Sequence, residues 1–138
     1  MAHAFQHTAD YDKTISEYFS GQTEGEVFPA TYQVVLRRKD NLRYGENSHQ
    51  KAALYSAGDC RDANLVNARQ LNGKQLSYNN LLDLDSALAI VRNQESPSCS
   101  VIKHNNPCGA ATGETLVDAC RKAFAGDPVS AFGSVIGI

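Results

Sequence analysis

One stretch constrains the fold more than any other: from Cys99 to Ile138 the chain reads strand, loop, helix, strand. Cys99-Ser100-Val101-Ile102-Lys103 is an apolar run of strand length closed by a lysine. His104 to Gly113 follows as a loop, because Pro107 has no N–H for a ladder and Gly109 weakens one. Glu114 to Ala125 sets Leu116, Ala119, Cys120, Ala123 and Phe124 on one helical face, and Ser134 to Ile138 turns apolar again. Two strands joined through a helix make a βαβ unit, so an α/β class with a parallel sheet is expected. Ligands of such sheets bind beyond the carboxyl ends of the strands, and Lys103 and His104 fall there.

The rest of the chain is read by the same periodicities. Thr8 is a good N-cap for a helix with Tyr11, Ile15, Tyr18 and Phe19 on one face, and Gly21 is its natural stop. Gly21 to Glu26 then reads as a loop or linker, which makes residues 1–20 a lead-in separate from 21–138. Thr31 to Arg37 alternates as a strand, with Lys51 to Tyr55 as a second and the polar turn Arg38 to Gln50 between them. A helix over about Asn79 to Arg92 carries Leu81, Leu84, Leu88 and Val91 on one stripe, capped by Ser77 or Asn79 and bounded by Pro97.

Composition excludes several functions. With 42% hydrophobic and 20% charged residues, the 138-residue chain has material for a core, so disorder and disulfide-scaffold classes do not fit. Thirteen basic against fifteen acidic residues give a net charge of −2 with no basic block, which argues against nucleic acid as a main partner. No apolar run reaches the roughly 18 residues of a membrane helix and no signal peptide opens the chain, so a cytoplasmic protein without a membrane partner is expected. The four cysteines, Cys60, Cys99, Cys108 and Cys120, form no CxxC pair and are expected as free thiols. Val135-Ile136-Gly137-Ile138 is an apolar strand with nothing polar behind it, which predicts a chain cut within a larger fold.

Three polar clusters are candidates for chemistry. At Lys103-His104-Asn105-Asn106, a lysine beside a histidine in a partly desolvated pocket would have both cations disfavoured, leaving proton acceptors; equally, Lys103 reaches solvent and His104 caps backbone. Arg43-Tyr44-Gly45-Glu46-Asn47-Ser48-His49-Gln50 offers a forked donor for phosphate or carboxylate and an aromatic for stacking, or is a solvated hairpin tip. The Ala125 to Gly133 connection, as a βαβ return loop, is expected on the opposite edge from Lys103 in a structural role. Zinc is not expected: His104 and Cys108 lack the glutamate and second thiolate of the deaminase signature. Cys108 as a nucleophile beside His104 competes with the commoner buried, inert cysteine.

Four segments in this order carry a resemblance: Leu42-Arg43-Tyr44-Gly45-Glu46-Asn47, Gln70 to Asp83, Val101 to Ala111 with its Lys103-His104-Asn105-Asn106-Pro107-Cys108-Gly109 run, and Asp127 to Gly133. From about Ala4 to Ile138 the chain resembles the AICAR transformylase (phosphoribosylaminoimidazolecarboxamide formyltransferase) half of the bacterial bifunctional purine biosynthesis family, whose other half is inosine monophosphate cyclohydrolase. The resemblance implies formyl transfer from 10-formyltetrahydrofolate to the 5-amine of AICAR without a metal. It implies Lys103 and His104 as the catalytic pair, and Arg43 and Tyr44 as ribonucleotide contacts in a site shared across a homodimer. Asn105 and Asn106 are placed to orient the pair, an inference from position alone.

The fold the resemblance implies is a cytidine-deaminase-like three-layer α/β/α lobe, the first and incomplete lobe of the transformylase. The lead-in helix would join the cyclohydrolase half, and a second lobe would supply a catalytic Asn and most folate contacts. Two positions depart from the family pattern, Ser48 where Pro is usual and Ser134 where a second Gly follows Gly133, and both bear on turn freedom. Beside the formyltransferase stand two other readings, a nucleotide-binding module without catalysis and a cysteine hydrolase built on Cys108.

Overall fold

The computed structural model describes residues 1–21, 28, 31–58 and 63–138. Its contacts fall into two compact units, Met1–Val34 and Val35–Ile138. The first holds helix α1 (Ala2–Ser20), in which no residue is buried. It begins before the expected Thr8 cap, because nothing from Ala2 to His7 breaks a helix. Thr8 instead lies inside it and its hydroxyl donates to the Ala4 carbonyl at 3.0 Å. Gly21 is the C-cap as expected, while the rest of the expected Gly21–Glu26 loop lies outside the described residues, as does Cys60.

In the second unit, β1 (Arg37–Asn41) pairs antiparallel with β2 (Ala53–Ser56). The expected Thr31–Arg37 strand is therefore displaced: Tyr32, Val34 and Leu36 precede the ladder and are exposed. Every residue of β1 is exposed, so no buried face selects the register and the hydrophobic alternation does not decide which residues pair. Helix α2 (Tyr78–Val91) starts where expected, on Ser77. The Asn80 N–H donates to Ser77 Oγ at 3.3 Å and the Ser77 N–H donates back to Asn80 Oδ1 at 3.1 Å, a reciprocal cap with Asn in the usual Glu position. Ser77→Ala is expected to lower the unfolding free energy by about 1 kcal/mol; an unchanged urea midpoint would contradict that.

The main sheet has three strands in the order β4-β3-β5, with β3 (Ser98–Lys103) in the centre, β4 (Asn106–Thr112) on one side and β5 (Val135–Gly137) on the other. Both neighbours run antiparallel to β3, which corrects the parallel βαβ expectation. Most of the expected His104–Gly113 loop is strand β4. Pro107 is tolerated because β4 is at the sheet edge, and Cys108 is the extra residue of a bulge, since Val101 faces Gly109 while Ile102 faces Pro107. Helix α3 (Leu116–Gly126) thus connects β4 to β5, which are parallel to each other with β3 lying between them.

Helices cover both faces of β3, which explains its burial along nearly its whole length. Cys99 and Val101 pack with Ala119 and Ala123 of α3 and with Ala131. Ser100, on the alternate face, donates to the Ala87 carbonyl of α2 at 3.1 Å. The fold is mixed α/β with small sheets, and the ends of β3 and β5 converge on Lys103.

Candidate functional site

Lys103 and Asn106 close the β3–β4 hairpin, leaving His104 and Asn105 as a two-residue turn. Their φ values are 52° and 60°, the double positive φ of a type I′ hairpin. His and Asn are among the non-glycine residues that visit this region, at a cost of order 1 kcal/mol each. The turn is pinned from α2: the Asn105 N–H donates to Asp83 Oδ1 at 2.7 Å, and the Ser86 hydroxyl donates to Asn105 Oδ1 at 2.5 Å. Asn106 Nδ2 donates to the His104 carbonyl at 2.8 Å. His104 itself is exposed, so the described residues do not enclose it in the desolvated pocket that the residue pattern suggested.

Lys103 is half-buried and its Nζ donates to the carbonyls of Ser130 at 3.2 Å and Phe132 at 3.0 Å. The connection into β5 therefore lies beside Lys103 and not on the opposite edge. The reason is strand direction: β5 is antiparallel to β3, so Val135 stands opposite Ile102 and the residues before it reach the Lys103 end. Asp127 braces this loop by accepting from the Ser130 N–H at 3.0 Å.

The Ser130 hydroxyl and N–H, then the Val129 N–H and the charge of Lys103, hold the Asp127 carboxyl below its ordinary value of 3.8. A depressed folded value means stabilisation that is present above 3.8 and lost as pH falls through the folded value. Asp127→Asn is expected to flatten the acid-side decline of the melting temperature across that window; an unchanged decline would refute the assignment.

The Arg43–Gln50 loop lies between the antiparallel β1 and β2 and is largely exposed, as a solvated hairpin tip is, and it is also anchored. The Arg43 N–H donates to the Leu76 carbonyl at 2.8 Å, the Tyr78 N–H to the Tyr44 carbonyl at 3.1 Å, and Asn79 Nδ2 to the Glu46 carbonyl at 2.9 Å. All three tie the loop to the start of α2. The Arg43 guanidinium lies 4.8 Å from the centroid of the Tyr44 ring and donates to its hydroxyl at 3.2 Å. One helix thus carries both anchorages, Tyr78 and Asn79 for the Arg43 loop and Asp83 and Ser86 for the His104 turn. At about 1.5 Å per residue, Tyr78 and Asp83 are about 8 Å apart along its axis.

The structure therefore gathers Lys103, His104, Asn105 and Asn106 on one turn and pairs Arg43 with Tyr44. Among the described residues no hydrogen bond or ion pair joins the two sets. Asp83, Ser86 and the carbonyls of Ser130 and Phe132 escape a reading by motif, since their role depends on the hairpin and on the direction of β5. Cys108 packs against the Cys99, Val101 and Ala119 cluster, so its thiol belongs to the core side of β4. Burial first, then the hydrogen bond and charge of Cys120, push the Cys99 thiol up to about 11. Cys99, Cys108 and Cys120 are free thiols. Among the described residues, no group of three or more His, Cys, Asp or Glu is placed to hold a metal, and no helix is long and apolar enough to cross a membrane.

An α/β chain presenting a lysine and a histidine on a hairpin turn, beside an anchored Arg-Tyr loop, matches one family over residues 1–138, the AICARFT/IMPCHase bienzyme, and the chain belongs to it. It is similar to the bifunctional purine biosynthesis protein PurH of Rhodopirellula baltica, 65% identical over 137 residues, covering 99% of this chain and 26% of that protein. It is also similar to the protein of the same name from Halalkalibacterium halodurans, 47% identical over 137 residues, covering 99% of this chain and 27% of that protein. The chain spans about a quarter of the length of these relatives.

Proposed function

We propose that this chain supplies the Lys103-His104 turn and the Arg43-Tyr44 loop of an AICAR formyltransferase, which moves a formyl group from 10-formyltetrahydrofolate to the 5-amine of AICAR. The observation that carries the reading is the pinned turn, which holds an imidazole and an ammonium on adjacent residues at the end of a buried strand. The amine nitrogen attacks the formyl carbon and forms a C–N bond, His104 takes the proton the amine loses, and the adduct carries an oxyanion. Its collapse restores the carbonyl and breaks the bond to the folate nitrogen, which takes a proton from the Lys103 ammonium and leaves as tetrahydrofolate, and the proton held by His104 restores the lysine.

A lysine ammonium has three donors. Two are committed to the Ser130 and Phe132 carbonyls, which leaves a third for the oxyanion or the leaving nitrogen. Arg43, stacked on Tyr44, offers its fork to the ribonucleotide phosphate. In this reading residues 21–138 are the first, incomplete deaminase-like lobe, α1 joins it to a cyclohydrolase half, and the working site is shared across a homodimer in the cytoplasm.

The test is to graft residues 1–138 in place of the matching quarter of the full-length Rhodopirellula relative and to follow tetrahydrofolate release. Formyl transfer that depends on both substrates supports the reading, and a folded graft that releases none overturns it. The chain alone is expected to bind the ribonucleotide weakly and turn over nothing, because a divided site lacks its preorganised partners. Tight binding by the chain alone, beside an inactive graft, favours the nucleotide-binding module.

A further inference from the structure

The His104-Asn105 turn keeps two non-glycine residues at positive φ, although a glycine at the second position would adopt that conformation without strain. Such a conformation persists only where its surroundings over-determine it. The ladder, closed by Lys103 and Asn106, selects a two-residue primed turn but gives the Asn105 N–H no partner, because that N–H lies beyond its last pair. That donor goes to the carboxylate of Asp83, a charge-assisted bond of roughly twice the strength of a neutral one. Ser86, one helical turn further along α2, takes the Asn105 side chain.

We infer that Asp83, assisted by Ser86, is a positioning residue for His104, acting through the backbone of Asn105; this rests on the formyltransferase reading above. The φ of His104 sets the direction of its Cα–Cβ bond, and so of the imidazole. Asp83 belongs to a helix packed on β3 and β5, so it transmits the position of a rigid element to the turn. Lys103 is held separately, by carbonyls of the loop before β5. The two members of the pair are thereby placed by different elements, and loss of Asp83 disturbs His104 while leaving the Lys103 contacts intact.

The experiment uses the full-length graft. Asp83→Ala is expected to lower kcat by about 10–100-fold, the penalty of a catalytic group displaced by about 1 Å, with KM for both substrates changed by less than about threefold. Asp83→Asn keeps an acceptor oxygen and is expected to recover most of the rate, and Ser86→Ala to lie between. Asp85→Ala, an exposed neighbour on the same helix, leaves kcat unchanged. In a His104→Ala background, Asp83→Ala costs nothing further, since a positioning residue has nothing left to position.

If Asp83→Ala does not fold, Asp83→Asn and Ser86→Ala carry the same comparison. A wild-type kcat in Asp83→Ala beside an inactive His104→Ala overturns the positioning role alone. Losses in kcat that follow melting temperature and are not rescued by Asn overturn it as well. A fully active His104→Ala removes His104 from the chemistry, and the positioning role falls with it, whereas a folded graft without formyl transfer overturns the formyltransferase reading itself.

Discussion

Replacing His104 with alanine is expected to lower the rate of formyl transfer by about 10²–10⁴-fold, the range general-base removal produces, while leaving the melting temperature within a few degrees. The second half of this expectation comes from the structure: His104 is exposed, and the contacts that hold its turn run through its carbonyl and through Asn105, all of which survive truncation of the imidazole. Alanine is less at ease than histidine at a φ of 52°, so His104→Asn is the cleaner companion, because asparagine tolerates that region and cannot act as a base. Both variants in the full-length graft should be folded and inactive. Turnover within tenfold of the parent in His104→Asn would remove His104 from the chemistry.

The largest effect on stability is expected at Gly109. A Cβ there would lie 1.9 Å from the Ala123 carbonyl oxygen and 2.9 Å from its carbon. Both are backbone atoms of α3, so no side chain can swing aside, and the strand must part from the helix that covers it. Gly109→Ala is expected to destabilise the fold by about 3 kcal/mol or more, at or beyond the upper end of ordinary overpacking. Gly133 is the control: its φ of 76° strains alanine, but nothing lies within 4 Å, so Gly133→Ala should cost only about 1 kcal/mol. Urea denaturation of both variants decides the matter, and equal midpoints would mean that the β4–α3 approach is not tight.

The same glycine shows where the sequence was misleading. Pro107 and Gly109 make His104–Gly113 read as a loop, yet Pro107 stands on an edge strand and Gly109 marks a close approach between strand and helix. Without β4, the helix after it reads as a parallel crossover, which inverts both the direction of β5 and the place of the Ala125–Gly133 connection. No Asn-Gly or Asp-Gly pair announced the hairpin, because its central positions are occupied by His104 and Asn105.

What was legible depended on local chemistry. Ser77 capped α2 as its hydroxyl predicted, the apolar stripes placed α2 and α3, and the polar run at the end of β3 marked the turn. The Arg43 loop was visible as a cluster, but its attachment to α2 runs largely through backbone groups, which carry no signal in side-chain identity.

Strand order also predicts a sequence of assembly. The β3–β4 hairpin closes over two residues, the cheapest closure in this unit, whereas β5 must await α3 and a longer connection. The histidine turn is therefore expected to form among the earliest contacts of this unit, against an α2 that precedes it in the chain. Lys103 is expected to gain its two carbonyl partners only when the last strand docks, after the turn beside it has closed; pulsed hydrogen exchange that protects β5 before the β3–β4 hairpin would contradict this order.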